Sequence, residues 1–173
     1  MTSSPAAVSV PARADWPEPP PQTEAGRELT ELVVGVFRLH ARLMDAAQRL
    51  ASAGGITAAW WQVLGGVLDE PRTIADIGRR MGVTRQAVLR IADLLVDSGL
   101  AEYQANPAHQ RAKLVRCTEA GYWAIRQVAV AQHPWADRVA EQLGADDLRS
   151  GLRTVQRLTA VLDGGPSGPV GAV

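Results

Sequence analysis

The chain has 173 residues, 46% of them hydrophobic, with 18 basic and 18 acidic side chains and one cysteine. That length holds one domain of ordinary size with a real core. The lone Cys117 excludes an internal disulfide, and His40, His109 and His133, none of them paired at ligand spacing, argue against a zinc site. The longest nearly apolar run, Ala58 to Leu68, is broken by Gln62 and falls short of the roughly 20 residues a membrane span needs. No basic region followed by an apolar stretch opens the sequence, so a cytoplasmic protein without metal or cofactor is expected.

The two ends read as tails. Six of the eleven prolines (Pro5, Pro11, Pro17, Pro19, Pro20 and Pro21) precede residue 22, and from Gly164 onward nearly every residue is Gly, Pro, Ser or Val. Neither composition sustains a packed element, which predicts disordered segments at 1–24 and 164–173.

Between them the elements follow in order. Leu32, Val36, Leu39, Leu43, Ala46 and Leu50 recur at steps of four and three, the heptad-like stripe of a long helix, assigned to 25–53. A second stripe, Val33, Phe37, His40, Met44 and Ala47, runs beside it. The apolar face is therefore wider than one neighbour requires, and a second subunit is the expected partner. Gly54-Gly55 ends this helix and Thr57 caps the next, with Trp60, Leu64 and Val67 as its buried line. After the Asp69-Glu70-Pro71 turn, Thr73 caps a short helix with Ile74, Ile77 and Met81 inside, and Gly82 stops it. Thr84 caps a further helix with Val88, Ile91 and Leu95 inside, ending at Ser98-Gly99. The period then changes to two over residues 101–106 and 112–117, two strands joined by a loop around Asn106-Pro107. Thr118 caps a long helix in which Pro134 predicts a kink or break, and Asp146-Asp147 open a last helix carrying Leu148, Leu152, Val155 and Leu158.

The zero net charge hides an uneven distribution. From Arg72 to Arg116 eight basic residues (Arg72, Arg79, Arg80, Arg85, Arg90, Arg111, Lys113, Arg116) face four acidic ones (Asp76, Asp93, Asp97, Glu102). A basic middle between acidic, apolar arms is the charge pattern of a chain that offers one face to a polyanion. Two short helices joined at Gly82-Val83 in this segment form a helix-turn-helix, whose turn needs the positive φ that glycine tolerates. The second helix can enter a major groove, Arg85 meeting guanine edges and Gln86 adenine, with Thr84 and its backbone amides at phosphate and Arg90 on the same exposed face. The hairpin that follows is a wing, with Arg111 at the adjacent minor groove. The fold class expected is mainly α with a small β-hairpin wing: a winged helix-turn-helix over 54–117 between helices at 25–53 and 118–163.

The stretches Thr73-Ile-Ala-Asp-Ile-Gly-Arg-Arg-Met-Gly-Val-Thr-Arg-Gln-Ala-Val88, Leu94-Leu-Val-Asp-Ser-Gly-Leu100 and Asn106-Pro-Ala-His-Gln-Arg-Ala-Lys-Leu-Val-Arg-Cys-Thr-Glu-Ala-Gly121 resemble the MarR family of bacterial transcription regulators. The resemblance extends more weakly from about Glu28 to Leu162. It implies a homodimer whose first and last two helices intertwine, bound to a pseudo-palindromic operator, usually as a repressor. The family's wing signature, Asp-x-Arg-Asp-x-Arg, reads Asn106-Pro107-Ala108-His109-Gln110-Arg111 here. Arg111 inherits the minor-groove role, His109 replaces the acidic brace and approaches phosphate, and Lys113 is a phosphate contact. Gly78 stands where a helix-turn-helix usually has Ala, and both are small enough for close helix crossing.

Family members commonly bind small apolar, often aromatic or phenolic, acids between the dimerisation helices and the winged domain. The corresponding candidates are Phe37, His40, Met44, Trp60, Trp61 and Trp123, with Trp60 favoured over Trp61; aromatic and Met residues at helical spacing are more often plain core. Cys117, without a partner thiol, does not read as a redox switch. No phosphate loop, nucleophile elbow or carboxylate pair near histidine supports an enzyme. The competing readings are a winged-helix module for protein interaction and a constitutive DNA-binding dimer without an effector.

Overall fold

The computed structural model describes residues 11–109 and 111–164, in two compact units that divide after Arg42. Helix α1 (Glu24–Ala51) runs across that boundary. In the first unit a single 3-10 turn at Arg13–Asp15 precedes the helix. Thr23 Oγ1 accepts from the Gly26 N–H at 3.1 Å, and Gln22 Nε2 reaches Thr30 Oγ1 at 2.9 Å, so the helix starts about two turns before its apolar stripe. Leu32, Val36 and Leu39 of that stripe, and Phe37 of the stripe beside it, are exposed on this chain. The tails expected from composition fall largely on 1–10 and 165–173, outside the described residues.

In the second unit α1 turns Ala46 and Ala51 inward. A 3-10 turn at Ser52–Gly54 closes on Gly55, whose φ is +69°. Thr57 caps α2 (Ala58–Gly65), its side chain accepting from the Trp60 N–H at 3.1 Å. Val63, Leu64 and Val67 form the buried line of α2 and the turn after it, whereas Trp60 is only half-buried. An indole is rarely enclosed fully, and Val63, three residues on, is the fully buried side chain instead.

Strand β1 (Arg72–Thr73) leads into α3 (Ile74–Met81), α4 (Arg85–Asp97), β2 (Ala101–Gln104), β3 (Leu114–Cys117), α5 (Glu119–Leu143) and α6 (Ala145–Gly164). The sheet is antiparallel in the order β1-β3-β2, with Arg72 opposite Val115 and Tyr103 opposite the same residue from the other side. Sequence alternation overstated the two hairpin strands, which stop at Gln104 and start at Leu114. It missed β1, because two residues carry no period. Ile77, Val88, Leu95, Val115 and Val128 join the residues of α2 in one core.

Helix α5 continues through Pro134 without the expected break. His133 and Pro134 are both exposed, so the missing donor falls on the solvent side, where a helix tolerates it best. Beyond Val128 the apolar side chains Val130, Val139 and Leu143, and then Leu148, Leu152 and Val155 of α6, are exposed on this chain.

Candidate nucleic-acid interface

The two helices of the motif are locked by local chemistry. Thr73 Oγ1 accepts from the Asp76 N–H at 3.2 Å and Thr84 Oγ1 from the Ala87 N–H at 3.3 Å, the N-cap interactions that threonine at those positions predicts. Between them Gly82 takes φ +64° and the Val83 N–H returns to the Gly78 carbonyl at 3.0 Å. A Cβ at Gly78 would stand 2.7 Å from the Val83 oxygen, so alanine does not fit this turn as it stands. That corrects the reading of the two as equivalent: the turn carbonyl, not the helix crossing, is the near neighbour.

Helix α4 buries Val88, Ile91, Ala92 and Leu95, and this leaves Arg85, Gln86, Leu89, Arg90 and Asp93 on the outside. The eight basic residues of the segment then divide. Arg72 pairs with Asp69 and, at 2.7 Å, with Glu70; Arg80 lies 3.5 Å from Asp69; Arg79 pairs with Asp76; and Arg116 meets Glu102 at 2.5 Å. Arg72 is also nearly enclosed and donates to the Gly66 carbonyl at 2.8 Å, so it staples the loop after α2. Its guanidinium holds the Asp69 carboxyl well below the usual range. Among the described residues Arg85, Arg90, Arg111 and Lys113 carry no ion pair, so positive potential concentrates on α4 and the wing.

The wing is organised by Asn106. Its Oδ1 accepts from the Ala108 N–H at 3.0 Å and its carbonyl from the His109 N–H at 3.2 Å, while the Ala112 N–H returns to His109 O at 3.2 Å. Asn106 thus makes the turn in place of the family's aspartate, and Gln110 lies outside the described residues. Tyr103 fastens the wing to α4. Its hydroxyl donates to Asp93 Oδ1 at 2.7 Å, the Lys113 ammonium stands 5.6 Å over its ring, and burial with the Asp93 charge pushes its pKa up to about 12. Lys113, expected purely at phosphate, therefore has a second role against the ring.

Arg85, His109, Arg111 and Lys113 converge on one hollow of about 530 Å³ between α3, α4 and the wing. Gln86 and Arg90 line a second, of about 500 Å³. The two share Leu89 and Asp93, so these residues form one contiguous surface, and Thr84 is exposed at its edge. Leu89, Asp93 and Tyr103 were missed by sequence reasoning; the helical spacing of Asp93 from Gln86 and Arg90 could have found that residue, whereas nothing local marks Tyr103.

The six ligand candidates do not converge in this way. Met44 and Trp61 line an apolar hollow of about 220 Å³ with Ala47, Ala58, Gln62 and Met81, where Gln62 Nε2 donates to the Met81 carbonyl at 3.0 Å. No charged side chain lines it. Trp60 packs against the core instead, Trp123 is 67% exposed on α5, and Phe37 and His40 are exposed on the part of α1 in the first unit. Cys117 is buried, and burial raises its thiol to about 11.

A capped helix pair, an outward helix face bearing arginines and a hairpin tied to it define a winged helix-turn-helix protein that binds DNA. Residues 54–112 match the profile of the MarR family, and the chain belongs to that family of transcription regulators, which are not enzymes. An uncharacterized protein of Mycobacterium tuberculosis is 33% identical over 135 residues, 78% of this chain and 94% of the relative. The fold is also that of the transcriptional regulator BldR from Sulfolobus solfataricus, with a TM-score of 0.68, 17% identity and coverage of 79% of this chain and 99% of that one. It is likewise that of the repressor CouR bound to a 23-mer DNA duplex, with a TM-score of 0.64, 22% identity and coverage of 80% and 99%. No described helix is long and apolar enough to cross a membrane.

Proposed function

We propose that this chain represses transcription in the cytoplasm as a homodimer on a pseudo-palindromic operator. Arg85 and Gln86 read bases in the major groove, Arg111 enters the adjacent minor groove, and Thr84, Arg90, His109 and Lys113 meet the backbone. The observation that carries this reading is the contiguous surface of α4 and wing, on which, among the described residues, Arg85, Arg90, Arg111 and Lys113 carry no ion pair while the segment's other four arginines do. The CouR complex supports it by its shared fold. Dimerisation rests on the exposed Leu32, Val36, Leu39 and Leu43 of α1 and Leu148, Leu152 and Val155 of α6, too apolar together to face water. Two-fold symmetry sets half-sites about 10 base pairs apart.

Selection from a random duplex pool, with light scattering on the free protein, tests both halves. A palindrome and a dimer are expected; a monomer at micromolar concentration refutes the assembly. Arg85→Ala should cost about 1–3 kcal/mol on the selected site and little on random DNA, whereas Lys113→Ala weakens both. Equal loss on every sequence removes Arg85 from the base edges. Binding that is indifferent to salt would mark an interaction module instead.

A second element of the proposal is release by a small apolar or aromatic effector, favoured by the hollow that Met44 and Trp61 line. Such a ligand acts only through different affinity for two spacings of the winged domains, so operator DNA must weaken ligand binding by the same factor. A panel of aromatic acids and their neutral counterparts, read by tryptophan fluorescence and DNA affinity, tests it. If neither moves, the protein is a constitutive DNA-binding dimer.

A further inference from the structure

The outer face of α4 contains one residue that does not match its neighbours. Arg85, Gln86, Arg90 and Asp93 are polar, yet Leu89 among them is 45% exposed. It lies on the ridge where the two hollows of the interface meet, lining both, with Arg85 and Arg111 on one side and Gln86 and Arg90 on the other. A leucine exposed singly is ordinary on a protein surface. This one stands in the N-terminal half of the helix, one turn from Arg85, at a position that contacts base edges when such a helix enters a groove. The other exposed leucine of α4, Leu94, sits more than two turns from the N-terminus, beyond the reach of that end.

What the major groove can offer a leucine is narrow. Base edges there are donors and acceptors, and covering them with an alkyl group leaves those groups unpaired. The exception is the C5-methyl of thymine, the apolar group on that edge. We propose that Leu89 is a specificity-determining residue that packs on a thymine methyl of the operator. This rests on the reading of α4 as the helix that enters the major groove. Leu89 lies four residues from Arg85, about 6 Å along the helix axis. Its thymine is therefore within about two base pairs, at 3.4 Å per step, of the guanine that Arg85 reads.

The test uses the full chain and the operator selected from the random pool. Deoxyuridine replaces each thymine in turn, which removes only the methyl, and binding is measured for wild type and for Leu89→Ala. The side chain is exposed, so the variant keeps its fold, and its far-ultraviolet dichroism and melting temperature should match wild type. Expected is one thymine per half-site whose replacement weakens wild type about fourfold, the worth of one buried methyl. The Leu89→Ala protein should bind both versions equally, and the thymine should lie within two base pairs of the position where Arg85→Ala loses preference. A scan in which no thymine matters to wild type overturns the inference. So does an equal loss in the variant, which would mean that the methyl acts through DNA shape. Those outcomes leave the operator and the groove-reading helix intact, whereas failure to select any sequence overturns both.

Discussion

Replacing Gly121 by alanine attacks the junction that holds the winged motif to α5. A Cβ there would stand 2.1 Å from the Leu100 carbonyl oxygen and 2.7 Å from Cys117 Sγ. Normal carbon–oxygen contact begins near 3.3 Å, so the carbonyl must retreat by about 1 Å. That oxygen accepts from the Thr118 N–H at 3.2 Å, while Thr118 Oγ1 donates to Gly99 O at 2.7 Å and accepts from the Gly121 N–H at 3.2 Å. The displacement therefore strains the end of α4, the start of β2 and the cap of α5 together. Overpacking costs about 1–3 kcal/mol and the weakened hydrogen bonding about 1–2 kcal/mol, against a gain of about 1 kcal/mol from alanine in a helix. The clash wins, with a net loss of about 1–4 kcal/mol. For a chain of 173 residues this lowers the melting temperature by roughly 2 to 15 °C, measurable by scanning calorimetry or dichroism. Gly78→Ala is the internal comparison. Its Cβ meets one turn oxygen at 2.7 Å and the same helical gain offsets most of the cost, so a smaller loss of about 0–2 kcal/mol is expected. A Gly121→Ala protein that melts within about 2 °C of wild type, or melts above Gly78→Ala, would refute the reasoning.

Two further outcomes follow from the titrating groups. Cys117 is buried with its thiol raised to about 11, so at pH 8 a thiol reagent should react with the unfolded chain and not with the native one; rapid native labelling would contradict its packing. Asp76 is held below its ordinary range by the Thr73 hydroxyl at 2.5 Å and by Arg79, so its carboxylate contributes stability above about pH 4 that is lost as the pH falls. The gap in melting temperature between wild type and Asp76→Asn should be widest near neutrality and narrow progressively as the pH falls through about 4 and below; a gap independent of pH would refute the contribution.

The sequence by itself determined whatever depends on residues near one another in the chain. Thr57, Thr73, Thr84 and Thr118 were legible as caps because an N-cap bond spans three residues, and Gly82 as a turn because only its own φ is at stake. The buried line Val88, Ile91 and Leu95 followed from period alone, and with it the outward Arg85, Gln86 and Arg90. What only the tertiary structure decided is which distant groups meet. Arg80 and Arg116 counted toward a basic face until Asp69, 11 positions away, and Glu102, 14 positions away, were found against them. Tyr103 became the brace of the wing only once a strand carried it to Asp93, and Gly121 became indispensable only once Leu100 stood against it. Trp61 rather than Trp60 faces the hollow with Met44 and Met81, since rotation of a short helix against its neighbours is set by how whole side chains pack and not by the order in which they occur.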